Sequence, residues 1–232
     1  MVLHRISRAV MVAGVLLLVA VGASHLVTAR TAHAAQLDKA DEWVRLNTAK
    51  AQTVGEGAGG LPGRQPVPID GAATPLANDA AIARVEIRRP GEGLLMDGPF
   101  FVGEGIEPAQ IDQGPSHYPT SALPGEDGNF AVAGHRTMHG APFGHLDQLR
   151  RDDEIRVTDR AGRRFDYRVV EQRIVHPSAT WVVDPDPLGT GTPTLTFTTC
   201  HPRYSARQRL VVWAELETET DHPDAARGAS RG

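Results

Sequence analysis

An uncharged stretch near the N-terminus divides this chain between two solvents. Residues 9–27 (AVMVAGVLLLVAVGASHLV) contain no acidic or basic residue apart from His25, and Ser24 is their only other polar member. As a helix rising about 1.5 Å per residue, the run spans roughly 28 Å, close to the hydrocarbon thickness of a bilayer. Arg5 and Arg8 precede it, whereas Arg30, Lys39 and Arg45 beyond it are offset by Asp38, Asp41 and Glu42. The positive-inside rule therefore predicts a cytoplasmic N-terminus and an exported body. A cleaved signal peptide is the competing reading, because Ala32-His33-Ala34 fits an A-x-A cleavage pattern. The run is long for the apolar core of a signal peptide, which favours a retained single-pass anchor in the plasma membrane.

Composition shifts divide the rest. Residues 1–35 read as a cytoplasmic stub and anchor. Residues 36–52 (QLDKADEWVRLNTAKAQ) predict a short helix with Leu37, Trp43, Val44 and Leu46 as its apolar points. Residues 53–80 are rich in Gly and Pro and read as a linker, completing a 36–80 extracytoplasmic segment. A flexible segment of that length spans roughly 25–30 Å, enough to lift a domain off the bilayer. The globular body is 81–217, and the polar residues 218–232 are expected to fray. Within the body, Arg84-Val85-Glu86-Ile87-Arg88 and Glu154-Ile155-Arg156-Val157-Thr158 alternate with period two. Runs at 129–133, 165–175, 194–199 and 208–216 are also strand-like, and Asp159-Arg160-Ala161-Gly162 suits a turn. Many short strands among 24 Gly and 17 Pro predict an all-β barrel or sandwich with minor helices.

A formal charge of −4 argues against a nucleic-acid partner held on a basic surface. The single cysteine, Cys200, excludes an intramolecular disulfide and a cysteine-based metal cluster. Asp112, Glu126, Asp127, Asp152, Asp153 and Glu154 are scattered, with no spacing that demands calcium, so no metal is expected. A lone thiol in an exported protein is either an inert buried hydrophobe or a reactive group. Cys200 ends a Thr-rich run just before His201-Pro202, which puts its sulfur at the rim of a barrel. Arg209 opens the following run, so a strand–loop–strand can bring thiol and guanidinium to one rim; Arg207 shares that face if the strand starts early. A thiol of pKa about 8.5 is only about 3% thiolate at neutral pH and needs a proton partner. His135, directly after the NFAVA run, is the best placed, with His139 and His201 as rivals.

Gly114-Pro115-Ser116-His117-Tyr118-Pro119, Leu123-Pro124-Gly125, Ala133-Gly134-His135-Arg136, Thr196-Phe197-Thr198-Thr199-Cys200 and Arg209 together resemble the sortases. The likeness covers 81–217 and includes the order His, Cys, Arg. The family's signature before the nucleophile is Thr-Leu-x-Thr-Cys; Phe197 stands here where leucine is usual, an apolar exchange that bears on pocket shape. The nearest subgroup is class E of GC-rich actinobacteria, in keeping with a chain whose only lysines are Lys39 and Lys50.

The resemblance implies a closed eight-stranded β-barrel and a monomeric, cofactor-free cysteine transpeptidase. Cys200 would be the nucleophile, His135 the proton donor and acceptor, and Arg209 the group that holds substrate carbonyls and the oxyanion. Thr199 would help form the oxyanion site through its hydroxyl or backbone N–H. Tyr118 matches a groove tyrosine associated in class E with LAxTG rather than LPxTG. The implied partners are secreted proteins with a C-terminal sorting signal and a peptidoglycan precursor amine. Other exported thiol enzymes fit less well: L,D-transpeptidases use a Ser-His-Gly-Cys context, and papain-like enzymes place Cys before His. A non-catalytic β-domain that binds wall or partner is the remaining alternative.

Overall fold

A computed structural model describes residues 2–56, 80–96 and 98–221. It begins with one unbroken helix, α1 (Val2–Glu56). Val10–Thr48 contains a stretch long and apolar enough to cross a membrane, with a mean hydropathy of 2.4, consistent with a membrane anchor. The expected short helix over 36–52 is the second half of this same α1, since nothing in residues 28–36 breaks a helix. Ala32, Gln36, Lys39, Ala40 and Trp43 recur at helical spacing, and this face turns toward the body. Ala32, Lys39 and Trp43 are buried, and the Trp43 ring lies 5.8 Å from that of Phe101. Of the expected linker, residues 53–56 are helical and 57–79 lie outside the described residues.

The body is a sheet closed on itself. Its strands are β1 (Ala83–Arg89), β2 (Gly93–Leu94), β3 (Phe100–Glu104), β4 (Ser116–His117), β5 (Asn129–Ala133), β6 (Glu154–Asp159), β7 (Arg163–Val175), β8 (Thr194–His201) and β9 (Gln208–Asp221). Eight form a ring in the order β1-β3-β4-β5-β8-β9-β7-β6, and the β1–β6 pairing closes it; β2 is a short appendage of β1. The period-two runs become β1 and β6, paired antiparallel from Ala83↔Asp159 to Arg88↔Glu154. Their alternate residues Val85, Ile87, Ile155 and Val157 point inward, joined by Phe130, Phe165, Tyr167, Leu195, Phe197 and Val212. The turn at 159–162 is held by Asp159, whose carboxylate accepts from the Arg163 N–H. Residues 218–221, expected in the tail, belong to β9, because β7 is long enough to pair them (Arg163↔Asp221). The expected fraying at 222–232 lies outside the described residues.

Two features of this topology place the site. β5 and β8 run parallel, so both end at the same rim, from Asn129↔Thr194 to Ala133↔Thr198. β8 and β9 run antiparallel, so β9 starts at the rim where β8 stops. Three strands thus deliver one end each to a single edge of the barrel.

Candidate active site

On β8, Leu195 and Phe197 face the interior, so alternation turns Thr196, Thr198 and Cys200 outward. On β9, Leu210, Val212 and Ala214 face the interior, whereas Val211 and Trp213 pack outside against Val182. Arg209 shares that outer face. The register pairs Cys200 with Arg209, Thr198 with Val211 and Thr196 with Trp213. Thiol and guanidinium therefore occupy facing positions on the same side of the sheet, with the cysteine half-buried. The Arg209 guanidinium donates to the carbonyls of Ala206 (2.9 Å) and Gln208 (3.1 Å), and no carboxylate pairs with it among the described residues. The rival Arg207 lies in the turn, since β9 begins at Gln208.

His135 leaves β5 two residues beyond Ala133. Continuing the Ala133↔Thr198 register by two positions brings it opposite Cys200. Two hydrogen bonds carry that register onward: Gly134 N–H donates to the Thr198 carbonyl (3.1 Å), and the Thr199 hydroxyl donates to the Gly134 carbonyl (2.7 Å). Thr199 is buried and faces inward like Phe197. Its hydroxyl is therefore committed to the backbone beside His135, and ladder alternation directs its N–H toward Leu210 on β9.

Of the two rivals, His139 lies beside His135. His139 stacks on His135 with ring centroids 4.6 Å apart. Both rings meet Asp112, whose Oδ1 lies 2.8 Å from His135 Nε2 and 3.3 Å from His139 Nε2. A carboxylate only accepts, so His135 Nε2 carries the hydrogen; no partner occupies His135 Nδ1 among the described residues. His201 is bound instead by Arg136, whose Nη1 donates to its Nδ1 (2.8 Å) and to the Cys200 carbonyl (3.3 Å). Arg136 is buried and also pairs with Asp147 at 2.9 Å. It ties the end of the cysteine strand to the loop after the histidine.

Asp112 and Arg136 escaped the sequence reading of the site. Asp112 was one of several scattered acids, and only folding brings it under two imidazoles. Arg136 stood in the quoted motif next to His135, which was the available signal. Asp112, His135 and His139 offer donor atoms within 4.8 Å of one another, a His–His–carboxylate set that a borderline metal such as zinc would accept. The hydrogen bonds already account for their arrangement.

β5, β8 and β9 are neighbours in the sheet, and their common outer face leads to the rim. Tyr118, half-buried, crosses that face, and its hydroxyl lies 2.9 Å from Thr198 Oγ1, two residues before Cys200. The connection from β7 to β8 covers the far end with a short 3-10 turn (Thr180–Val183), whose Trp181 stacks on Trp213 at 5.7 Å. Asn129 fixes that connection by donating to the Asp184 carbonyl (3.0 Å) while accepting from Thr196 Oγ1 (2.7 Å). His117, from the same motif as Tyr118, has a different task. It is buried between the Glu104 carboxylate (3.0 Å) and the Ala122 carbonyl (3.1 Å), away from the rim.

Comparison with known proteins gives a consistent picture. The Sortase domain family matches residues 96–217. Sortase SrtE1 of Streptomyces coelicolor is 31% identical over 148 residues, which make up 56% of this chain and 42% of that protein. Among solved structures, sortase E from Streptomyces avermitilis has a TM-score of 0.53 at 33% identity, covering 63% of this chain and 97% of its own. Sortase E1 from Streptomyces coelicolor with a tripeptide in the active site has a TM-score of 0.53 at 30% identity, covering 62% and 95%. This chain spans about half the length of the curated relatives it matches.

Proposed function

Because the chain belongs to the sortase family of cysteine transpeptidases, with its likeness to class E, we propose that it cleaves a C-terminal sorting signal between Thr and Gly and transfers the protein to a peptidoglycan amine. The observation that carries this reading is the register: Cys200 opposite Arg209 on one face, with His135 at the end of the parallel neighbour.

The chemistry follows from those positions. With its proton held by His135, the Cys200 thiolate attacks the Thr carbonyl carbon, and the tetrahedral oxyanion develops beside the Arg209 guanidinium, which has no acidic partner among the described residues. The Thr–Gly C–N bond then breaks, and His135 supplies the proton that the departing amine needs. A thioester remains. An acceptor amine attacks it, His135 takes the amine's proton, and Cys200 leaves as thiolate. Nδ1 is the nitrogen available for both transfers, while Asp112 and His139 hold the ring. Thr199, tied to the Gly134 carbonyl, steadies the strand end beside the oxyanion, and Tyr118 lies across the outer face in favour of the smaller Ala over Pro, which makes LAxTG the preferred signal. α1 is the single-pass anchor in the plasma membrane, with its N-terminus cytoplasmic and the barrel outside.

The test is peptide cleavage by the full chain in detergent micelles, using fluorogenic LAxTG and LPxTG peptides with and without an added amine. The expected result is cleavage between Thr and Gly with amine in the product, a thioacyl adduct on Cys200 by intact mass, and no turnover with Cys200→Ala. Turnover that survives Cys200→Ala would overturn the assignment. Arg209→Ala is expected to lower kcat/KM by the equivalent of about 2.7–4 kcal/mol, the usual loss for an oxyanion donor.

A further inference from the structure

We propose that α1 is a wall of the active site: Gln36 and Ala32 grip the two loops whose side chains flank His135, so the segment leaving the membrane also positions the proton-transfer group. This rests on the reading of His135 given above.

The grip on the first loop begins with an open sheet edge. On β3, Val102 turns its carbonyl toward the chain before β1, accepting from Ile82 N–H at 2.8 Å. Alternation turns the N–H and C=O of Phe101 the other way, and β4 reaches only Gly103 and Glu104. The Gln36 side-chain amide takes the vacant place. Its Oε1 accepts from Phe101 N–H (2.8 Å), and its Nε2 donates to the Phe101 carbonyl (3.1 Å). The same Nε2 donates to the carbonyl of Gln113 (3.2 Å), the residue after Asp112. Gly114 makes this approach possible. Its φ of +138° suits glycine, and a Cβ there would overlap Gln36 Nε2.

The grip on the second loop is steric. Ala32 is buried, one helical turn before Gln36, and faces Gly140, where an added Cβ would meet the Ala32 methyl at 3.8 Å. Gly140 follows His139, the ring stacked on His135. A cavity of about 420 Å³ opens beside these contacts between Leu37, Ala40, Phe100, Pro142 and His145, so α1 meets the two loops through Ala32 and Gln36, while Trp43 packs farther along on Phe101. Asp112 and His139 are thus each held one residue away from a contact with α1.

The arrangement also sets a height. The apolar run ends at residue 27, and Ala32 docks five residues later, about 7.5 Å along the helix. A rigid helix therefore keeps the rim at the level of the lipid headgroups, within reach of a peptide still tethered to the membrane.

Three variants of the full chain in lipid nanodiscs test this. Gln36→Met removes the amide and keeps the length. Gly114→Ala displaces Gln36 by an independent route. Val44→Ala, on the exposed face of α1, is the control. For the first two we expect kcat to fall about tenfold with KM within about twofold, as for a small displacement of a catalytic group. In His-labelled protein, the imidazole NMR signals of His135 and His139 are expected to shift or broaden in both, with wild-type values in Val44→Ala. Wild-type kcat in both variants would overturn the proposal. So would a loss of activity that leaves the two imidazole signals in place, since that marks general destabilisation. His135→Ala separates the two levels of inference: full activity there would defeat the functional reading itself, whatever Gln36 does.

Discussion

The absence of one methyl group decides how the histidine leaves its strand. A Cβ on Gly134 would lie 2.7 Å from a carbon of the Phe143 ring, inside any real contact distance. Phe143 is fully buried and packs on Phe100 and Phe197, so the ring has nowhere to retreat. Its N–H also donates to the His135 carbonyl at 3.0 Å. Gly134→Ala is therefore expected to destabilise the barrel by about 1–3 kcal/mol, the usual cost of overpacking, and to reduce kcat by moving His135. Thermal melts and peptide kinetics check both, and unchanged values would show that the ring yields freely. A second residue-scale prediction concerns the interior. Burial pushes the Tyr167 phenol up to about 12, although the Gly125 N–H donated to its oxygen works in the opposite direction. The neutral phenol is the form favoured by folding. Its contribution is complete below about pH 10 and is lost as pH rises through about 12, on the order of 3 kcal/mol. Ultraviolet titration should show one tyrosine ionising late, and Tyr167→Phe should flatten the fall in stability between those pH values.

Among elements, the parallel pair β5 and β8 bears most directly on function. A parallel pairing needs a long connection, and here the β6–β7 hairpin lies between the two strands in sequence. That crossover puts residues 135 and 200 at one rim although they are far apart in the chain. The Thr199 hydroxyl adds a cross-strand tie, donating to the Gly134 carbonyl. Thr199→Val keeps the volume but leaves that buried carbonyl without its donor, which typically costs about 1–3 kcal/mol. We expect a lower melting temperature and a reduced kcat with KM little changed. If stability is untouched, the bond does not hold the histidine strand. Period-two patterning had already located β1 and β6, and the turn at 159–162 matched its sequence cue. Strand limits were less legible: β9 runs on through polar residues 218–221 because β7 supplies partners for them. Helix α1 exceeded its expected limits for a different reason. Residues 28–36 hold neither proline nor glycine, so no cue in the sequence separated a second helix from a continuation of the first.

At the scale of the whole molecule, one helix carries both the apolar run suited to a membrane anchor and the face that docks beside the candidate site. A membrane-impermeant maleimide should label Cys200, the only cysteine, in intact cells. Labelling that requires lysis would place the barrel on the cytoplasmic side and reverse the orientation read from Arg5 and Arg8.

Residue type and local order by themselves singled out the residues from which the proposed chemistry is built. A lone thiol behind an apolar N-terminal run, a histidine after one strand and an arginine opening another are properties of short segments, and short segments can be read in one dimension. Tertiary structure decided which of the rival side chains meet. Sequence ranked His135 ahead of His139 and His201 by its place at a strand end, and the parallel register of β5 with β8 brings it opposite Cys200. Asp112 and Gln36 carried no local signal at all. Their roles arise where a loop and a helix remote in sequence close on the same edge of the barrel, and such contacts depend on chain closure rather than on any neighbouring residue.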